Sequence, residues 1–168
     1  MEYDLFIGSK LGRLNAAERL YEVARNVIGK GVKFEKIRHQ LGFQYVCIDC
    51  EYFSIDIDLD DEDHDMQEYQ EMNIRYHGVN TDVRISVELI SKTFNIGWVK
   101  FLELMGKLLR SMDGDLLLLD DTSFPVMKKN DILYVNSNVD EYRAKYINKK
   151  NLNRLHCPFI EENFSIKL

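Results

Sequence analysis

Residues 52–65 read YFSIDIDLDDEDHD, and the first eight decide how the chain folds. Phe53, Ile55, Ile57 and Leu59 alternate with Ser54, Asp56, Asp58 and Asp60. A period of two is the signature of a strand with one face buried and one in water. Asp is depleted from strands, yet three share the wet face here. Side chains two apart on a strand lie roughly 6–7 Å from each other. Two carboxylates at that spacing repel by about 0.7 kcal/mol in water, less in salt. Burying each apolar partner returns about 1.5–3 kcal/mol. The greasy face therefore wins, and the strand forms in spite of its acids.

Working outward, the acids belong to a longer excess. Between Arg38 and Arg75 there is no Lys or Arg, while eleven Asp and Glu fall in that interval. The chain carries 28 acidic and 22 basic residues, so the remainder holds 17 acids against 22 bases, and the net −6 arises in one region. Local charge of this kind steers partners.

The flanking elements set the fold class. EYDLFI (2–7) reads as an opening strand. NAAERLYEVARNVIGKG (15–31) reads as an amphipathic helix, with Asn15 as N-cap, Glu18 at capping-box spacing, and Ala17, Leu20, Tyr21, Ala24, Val27 and Ile28 on one stripe. Gly29 and Gly31 end it. KFEKIR, FQYVCIDC and the stretch at 52–59 give two or three strands with a turn at Gly42. DVRISVELI (82–90) alternates again. NIGWVKFLELMGKLLRSM (95–112) predicts a second helix, capped by Asn95, with Trp98, Phe101, Leu102, Met105, Leu108 and Leu109 inward. Gly97 and Gly106 on that helix allow close packing. DLLLLD (115–120) is a buried strand, and FPVMKKNDILYVN a hairpin turning at Lys129, Asn130 and Asp131. KKNLNRL supplies one or two helical turns before Pro158. The order predicts one α+β domain over 1–168: two layers, a mostly antiparallel sheet, and two main helices on one face.

Composition narrows the function. At 45% apolar and 30% charged the chain is globular. No apolar run approaches the roughly 20 residues of a membrane span. The N-terminus lacks a charged-then-apolar signal pattern, so a cytoplasmic protein is expected, without a membrane partner. Nucleic acid is not expected either, because phosphate binding needs clustered Lys and Arg. Only the tail with Lys128 and Lys129 offers a modest basic cluster, expected to be solvated surface.

The chemistry-bearing motifs are few. Cys47 and Cys50 form C-x-x-C, but i and i+3 on a continuing strand face opposite ways. A turn there, completed by His156 and Cys157, would make a Cys₃His zinc site in a small adaptor. Asp56, Asp58, Asp60, Asp61, His64 and Asp65 could hold a hard cation for a metal-dependent enzyme, although the Gly and distal Glu of calcium loops are missing. Nucleotide-loop and nucleophile-elbow patterns are absent from the sequence. The expectation is a non-enzymatic protein without cofactor or metal. Its acids would meet a cationic protein.

A resemblance gives that partner a class. DVRISVELISKTFN (82–95), followed by a helix ending in LLRSMDGDLLLLDDTSFPVMKKNDILYVN (108–136), resembles the third Sit-type immunity family of myxobacterial polymorphic toxin systems. Gly114 and Asp115 fill that family's turn, Leu116 to Leu119 its strand, and Leu133 with Asn136 its closing element. NLNRLHCPF, with Pro158, is similar to its tail, and the opening YDL before a helix also fits. The resemblance covers roughly residues 82–160. It implies an immunity protein that binds and neutralises a cognate toxin domain in the cytoplasm, and it carries no catalytic residue. The acidic block lies outside the family's pattern. A toxin acting on nucleic acid, such as a nuclease, presents a basic cleft that carboxylates can fill in place of phosphates. The expected contact residues are Asp56, Asp58, Asp60, Asp61, Glu62, Asp63 and Asp65, with Tyr69 as aromatic anchor.

Overall fold

The computed structural model describes residues 1–60, 64–120 and 126–164. The first half runs β1 (Glu2–Ile7), α1 (Arg13–Ile28), β2 (Lys33–Arg38), β3 (Gln44–Asp49), β4 (Phe53–Asp58), α2 (His64–His77) and β5 (Val83–Leu89). The second half runs α3 (Phe94–Ser111), β6 (Leu116–Leu119), β7 (Val126–Lys129), β8 (Ile132–Asn136), the short helices α4 (Glu141–Ala144) and α5 (Lys149–Leu152), and β9 (Ile160–Glu162). One nine-stranded sheet takes the order β2-β3-β4-β5-β1-β6-β7-β8-β9. Every pairing is antiparallel except β8 with β9. The architecture is α+β, as the element order predicts.

The alternation in β4 is realised. Phe53, Ile55 and Ile57 are fully buried, and Ser54, Asp56 and Asp58 turn the other way. Register carries the buried row across the sheet, Ile48 to Ile55 to Val87 to Tyr3. On this inner face lie α1 and α3. Helix α3 buries Trp98, Phe101, Leu102, Met105, Leu108 and Leu109, the whole expected stripe. Its Trp98 stacks on Tyr3 at 5.4 Å between ring centroids and donates its indole N–H to the carbonyl of Tyr146 at 2.9 Å. Gly106 lets α3 touch the 3₁₀ turn at Asn153–Leu155, where a Cβ would stand 2.0 Å from the Leu155 carbonyl oxygen. At the other end, Asn130 and Asp131 adopt positive φ in the β7–β8 turn, the conformation of a two-residue hairpin loop. Phe124 and Pro125, expected in that hairpin, lie outside the described residues.

Four expectations change. Helix α1 begins at Arg13 with Gly12 before it, so Asn15 is inside the first turn and donates to the Leu11 carbonyl. Helix α3 begins at Phe94, so Asn95 is likewise inside it. Lys128 is buried rather than solvated: its ammonium donates to the Met112 carbonyl at 2.8 Å and pairs with Asp131 at 3.4 Å. The segment after Asp60 holds a third helix. This helix, α2, lies against the outer face, where Met66, Phe6, Val79 and Leu117 form a small second core with Tyr69, Leu119 and Met127.

Candidate functional site

The second core covers the outer face only near β1, β6 and β7. Over β3, β4 and β5 that face is open. Its rows follow from register: Cys47, Asp56 and Ser86 lie side by side, as do Asp49, Ser54 and Glu88, and Tyr45 faces Asp58. Glu2 lies opposite Glu88 and Asp4 opposite Ser86, so β1 adds two more acids. Two adjoining hollows of about 360 and 380 Å³ run across this surface and share Asp56, Arg84 and Ser86. The first is lined also by Glu2, Asp4, Glu88 and Asp120, the second by Tyr45, Phe43, His39 and Met66.

The basic side chains at this surface are already engaged, Arg84 by one of the surface's own acids. Arg84 makes a forked pair with Asp4, Nε to Oδ1 at 3.0 Å and an Nη to Oδ2 at 3.2 Å. Its guanidinium also lies 4.7 Å over the Tyr69 ring. Arg13 donates to the backbone carbonyl of Asp60. Among the described residues, Asp56, Asp58 and Asp60 form no ion pair. Asp56 is exposed, with neutral cross-strand neighbours in Cys47 and Ser86.

The other expected contact residues divide. Asp58 is half-buried, and its Oδ1 accepts the Asp60 N–H at 2.9 Å, closing the end of β4. Asp60 is exposed. Asp65 is exposed in the first turn of α2, where a negative charge suits the helix dipole. Asp61, Glu62 and Asp63 lie outside the described residues. Tyr69 is half-buried: its ring sits 5.4 Å from Phe6 and beneath Arg84, so it already serves the fold.

Sequence reading missed Glu2, Asp4 and Glu88, because strand parity says which way a side chain faces but not which strands are neighbours. It placed the turn at Gly42 between β2 and β3 but missed the ring cluster that this hairpin builds. There Phe43 lies flat on His39, 4.4 Å between centroids and 8° between planes, and Tyr45 follows at 6.3 Å. Positive φ at Gly42 makes that turn.

The cysteines sit apart. Cys47 points outward beside the Ser54 hydroxyl at 3.6 Å, while Cys50 points inward and donates to the Phe53 carbonyl at 3.4 Å. Burial pushes both thiols above their ordinary range, and Asp56 adds to the effect on Cys47. Raised thiols are poor nucleophiles. Cys157 lies against α3, 3.8 Å from the Gly106 carbonyl. Among the described residues no three of His, Cys, Asp and Glu are grouped to hold a metal ion, and no helix is long and apolar enough to cross a membrane. Compared with family models, curated proteins and solved structures, the chain matches none.

Proposed function

We propose that this chain is an immunity protein: it binds a cationic toxin domain, with a nuclease the best-fitting kind, and blocks it by contact. The open acidic face supports the reading, and the exposed, unpaired Asp56 on a rigid strand carries it. Carboxylates fixed at sheet spacing offer a surface on which phosphate-binding lysines and arginines of a toxin can settle. Toxin binding relieves the mutual repulsion of those acids, so charge that disfavours the free protein favours the complex. Complementary charge raises association rates from about 10⁵–10⁶ M⁻¹s⁻¹ towards 10⁸ M⁻¹s⁻¹ or more. Fast capture is what a cell exposed to a lethal enzyme needs. Inhibition by occupation requires no catalytic group of the inhibitor, and the place of action is the cytoplasm of the producing cell.

The test is co-expression with the C-terminal domain of a large secreted protein encoded immediately upstream. Growth rescue is expected, along with a stable complex of the purified proteins. Replacing Asp56 and Asp58 together by Asn should slow association about tenfold at low salt. Absence of both rescue and complex with that domain defeats the reading.

A further inference from the structure

The second hollow combines two kinds of group that recur together elsewhere on the same face. At Asp4, Arg84 and Tyr69 the protein holds a guanidinium between a carboxylate, at 3.0 Å, and a tyrosine ring, at 4.7 Å. In the hollow itself, Asp56 and Asp58 supply carboxylates, and Tyr45 and Phe43 supply rings. Tyr45 stands directly across from Asp58 in the β3–β4 register. Phe43 is propped in place by His39, whose ring is stacked on it at 4.4 Å and whose main-chain N–H closes the turn by donating to the Phe43 carbonyl at 2.8 Å. Met66 of α2 also lines the hollow. Two of the protein's own guanidiniums also line the hollow, and both are bound to other groups, Arg84 to Asp4 and Arg13 to the Asp60 carbonyl.

We infer that this hollow is a socket for one arginine side chain of the partner protein, an inference that rests on the immunity reading for its occupant. Its volume of about 380 Å³ is within the range of small-ligand sites, ample for one guanidinium and its stem. A guanidinium is planar, donates two parallel N–H groups to carboxylates, and stacks on an aromatic face. An ammonium satisfies a carboxylate as a point charge but has no flat face to lay on Tyr45 or Phe43. The socket therefore selects arginine over lysine. The aromatic groups also remove water from one side of the ion pair, which strengthens it over a purely exposed pair.

The experiment titrates isotopically labelled full-length protein with N-acetyl-arginine amide, N-acetyl-lysine amide and N-acetyl-citrulline amide, reading backbone amide shifts. Citrulline keeps the shape of arginine without its charge. Expected are saturable shifts at Phe43, Tyr45, Asp56 and Asp58 with the arginine compound, binding several-fold tighter than the lysine compound, and none that saturate with citrulline. Asp56→Asn with Asp58→Asn should weaken the arginine compound about tenfold. Tyr45→Leu, which keeps an apolar side chain on β3, should erase the preference for arginine over lysine. Equal binding of the two cations, or shifts spread over Glu68 and Glu71 on α2, overturns the socket. That result leaves the immunity reading standing, since a diffuse acidic face can still capture a toxin. Arginine-selective binding without protection against the toxin does the reverse.

Discussion

At the scale of single residues, two positions turn local chemistry into measurable stability. Gly106 sits mid-helix, where Gly costs about 1 kcal/mol relative to Ala. Propensity alone would make Gly106→Ala stabilising. The added methyl, however, would stand 2.0 Å from the Leu155 carbonyl oxygen, which also accepts a hydrogen bond from Arg110 at 2.7 Å. Backbone atoms cannot swing aside as a side chain can, so α3 must part from the turn at Asn153–Leu155. Overpacking of this kind costs about 1–3 kcal/mol, and the urea midpoint of Gly106→Ala should fall. Gly97→Ala, where the nearest atom would be 3.0 Å away, should change it much less.

Asp140 is the second position. It caps α4 by accepting the Arg143 backbone N–H at 2.8 Å and also pairs with the Arg143 guanidinium, which reaches on to Asp120 at 2.5 Å. That backbone hydrogen bond, chiefly, holds the Asp140 carboxyl below its ordinary 3.8. A depressed carboxyl stabilises the fold fully above its unfolded value and loses that contribution as pH falls through the folded one. Asn caps as well as Asp but cannot titrate. Asp140→Asn should therefore make the urea midpoint less sensitive to pH as it falls below the ordinary carboxyl range, with the cap intact.

Among the elements, strands and helices with an unbroken apolar pattern were legible, and those whose inner face is polar were not. Strand β4 and helix α3 show their burial directly in residue type. Helix α2 does not. Its inward positions Met66, Tyr69, Gln70 and Asn73 follow the 3, 4, 7 spacing of a helix, but two of the four are amides, while Met72, Ile74 and Tyr76 face water. The pattern is inverted, so the sequence shows an acidic run there and no apolar helix stripe. Strand β9 escaped for another reason. Its three residues are exposed and join β8 through the backbone alone. The candidate face was legible as far as Asp56 and Asp58, because strand parity fixes their direction. Its aromatic side, from Phe43 and Tyr45, depends on the β3–β4 register, which parity leaves open.

Beside its small apolar core, α2 is held by a polar contact with a testable weight. Asn73 is buried, and its side-chain N–H donates to the Thr81 hydroxyl at 3.0 Å. Thr81 is fully buried too. Asn73→Ala leaves that hydroxyl without this donor at a cost of about 1–3 kcal/mol. The loss should appear first in α2, which rests on a small core, rather than in the sheet. Hydrogen exchange in peptides covering residues 64–77 should accelerate, while exchange in β1, β4 and β5 stays slow. Equal acceleration everywhere would mean that α2 and the sheet open as one unit.

For the molecule as a whole, the sheet separates charge as well as burying apolar groups. The described part of the acidic interval contributes β3, β4 and α2, on or beside the outer face, and α1, with exposed Glu18 and Glu22, lies on the inner side. Sheet and helix layers are about 10 Å thick, and the Debye length at physiological salt is about 8 Å. A partner approaching the outer face is thus screened from α1. Two carboxylates removed from each side change the net charge equally, from −6 to −4, yet their effects on capture should differ. Asp56→Asn with Asp58→Asn should slow association with the toxin domain and flatten its dependence on salt. Glu18→Gln with Glu22→Gln should leave both within about twofold of the unmodified protein. Stopped-flow association rates between about 50 and 300 mM salt decide it. Equal slowing by the two pairs would show that net charge, not the acidic face, attracts the partner.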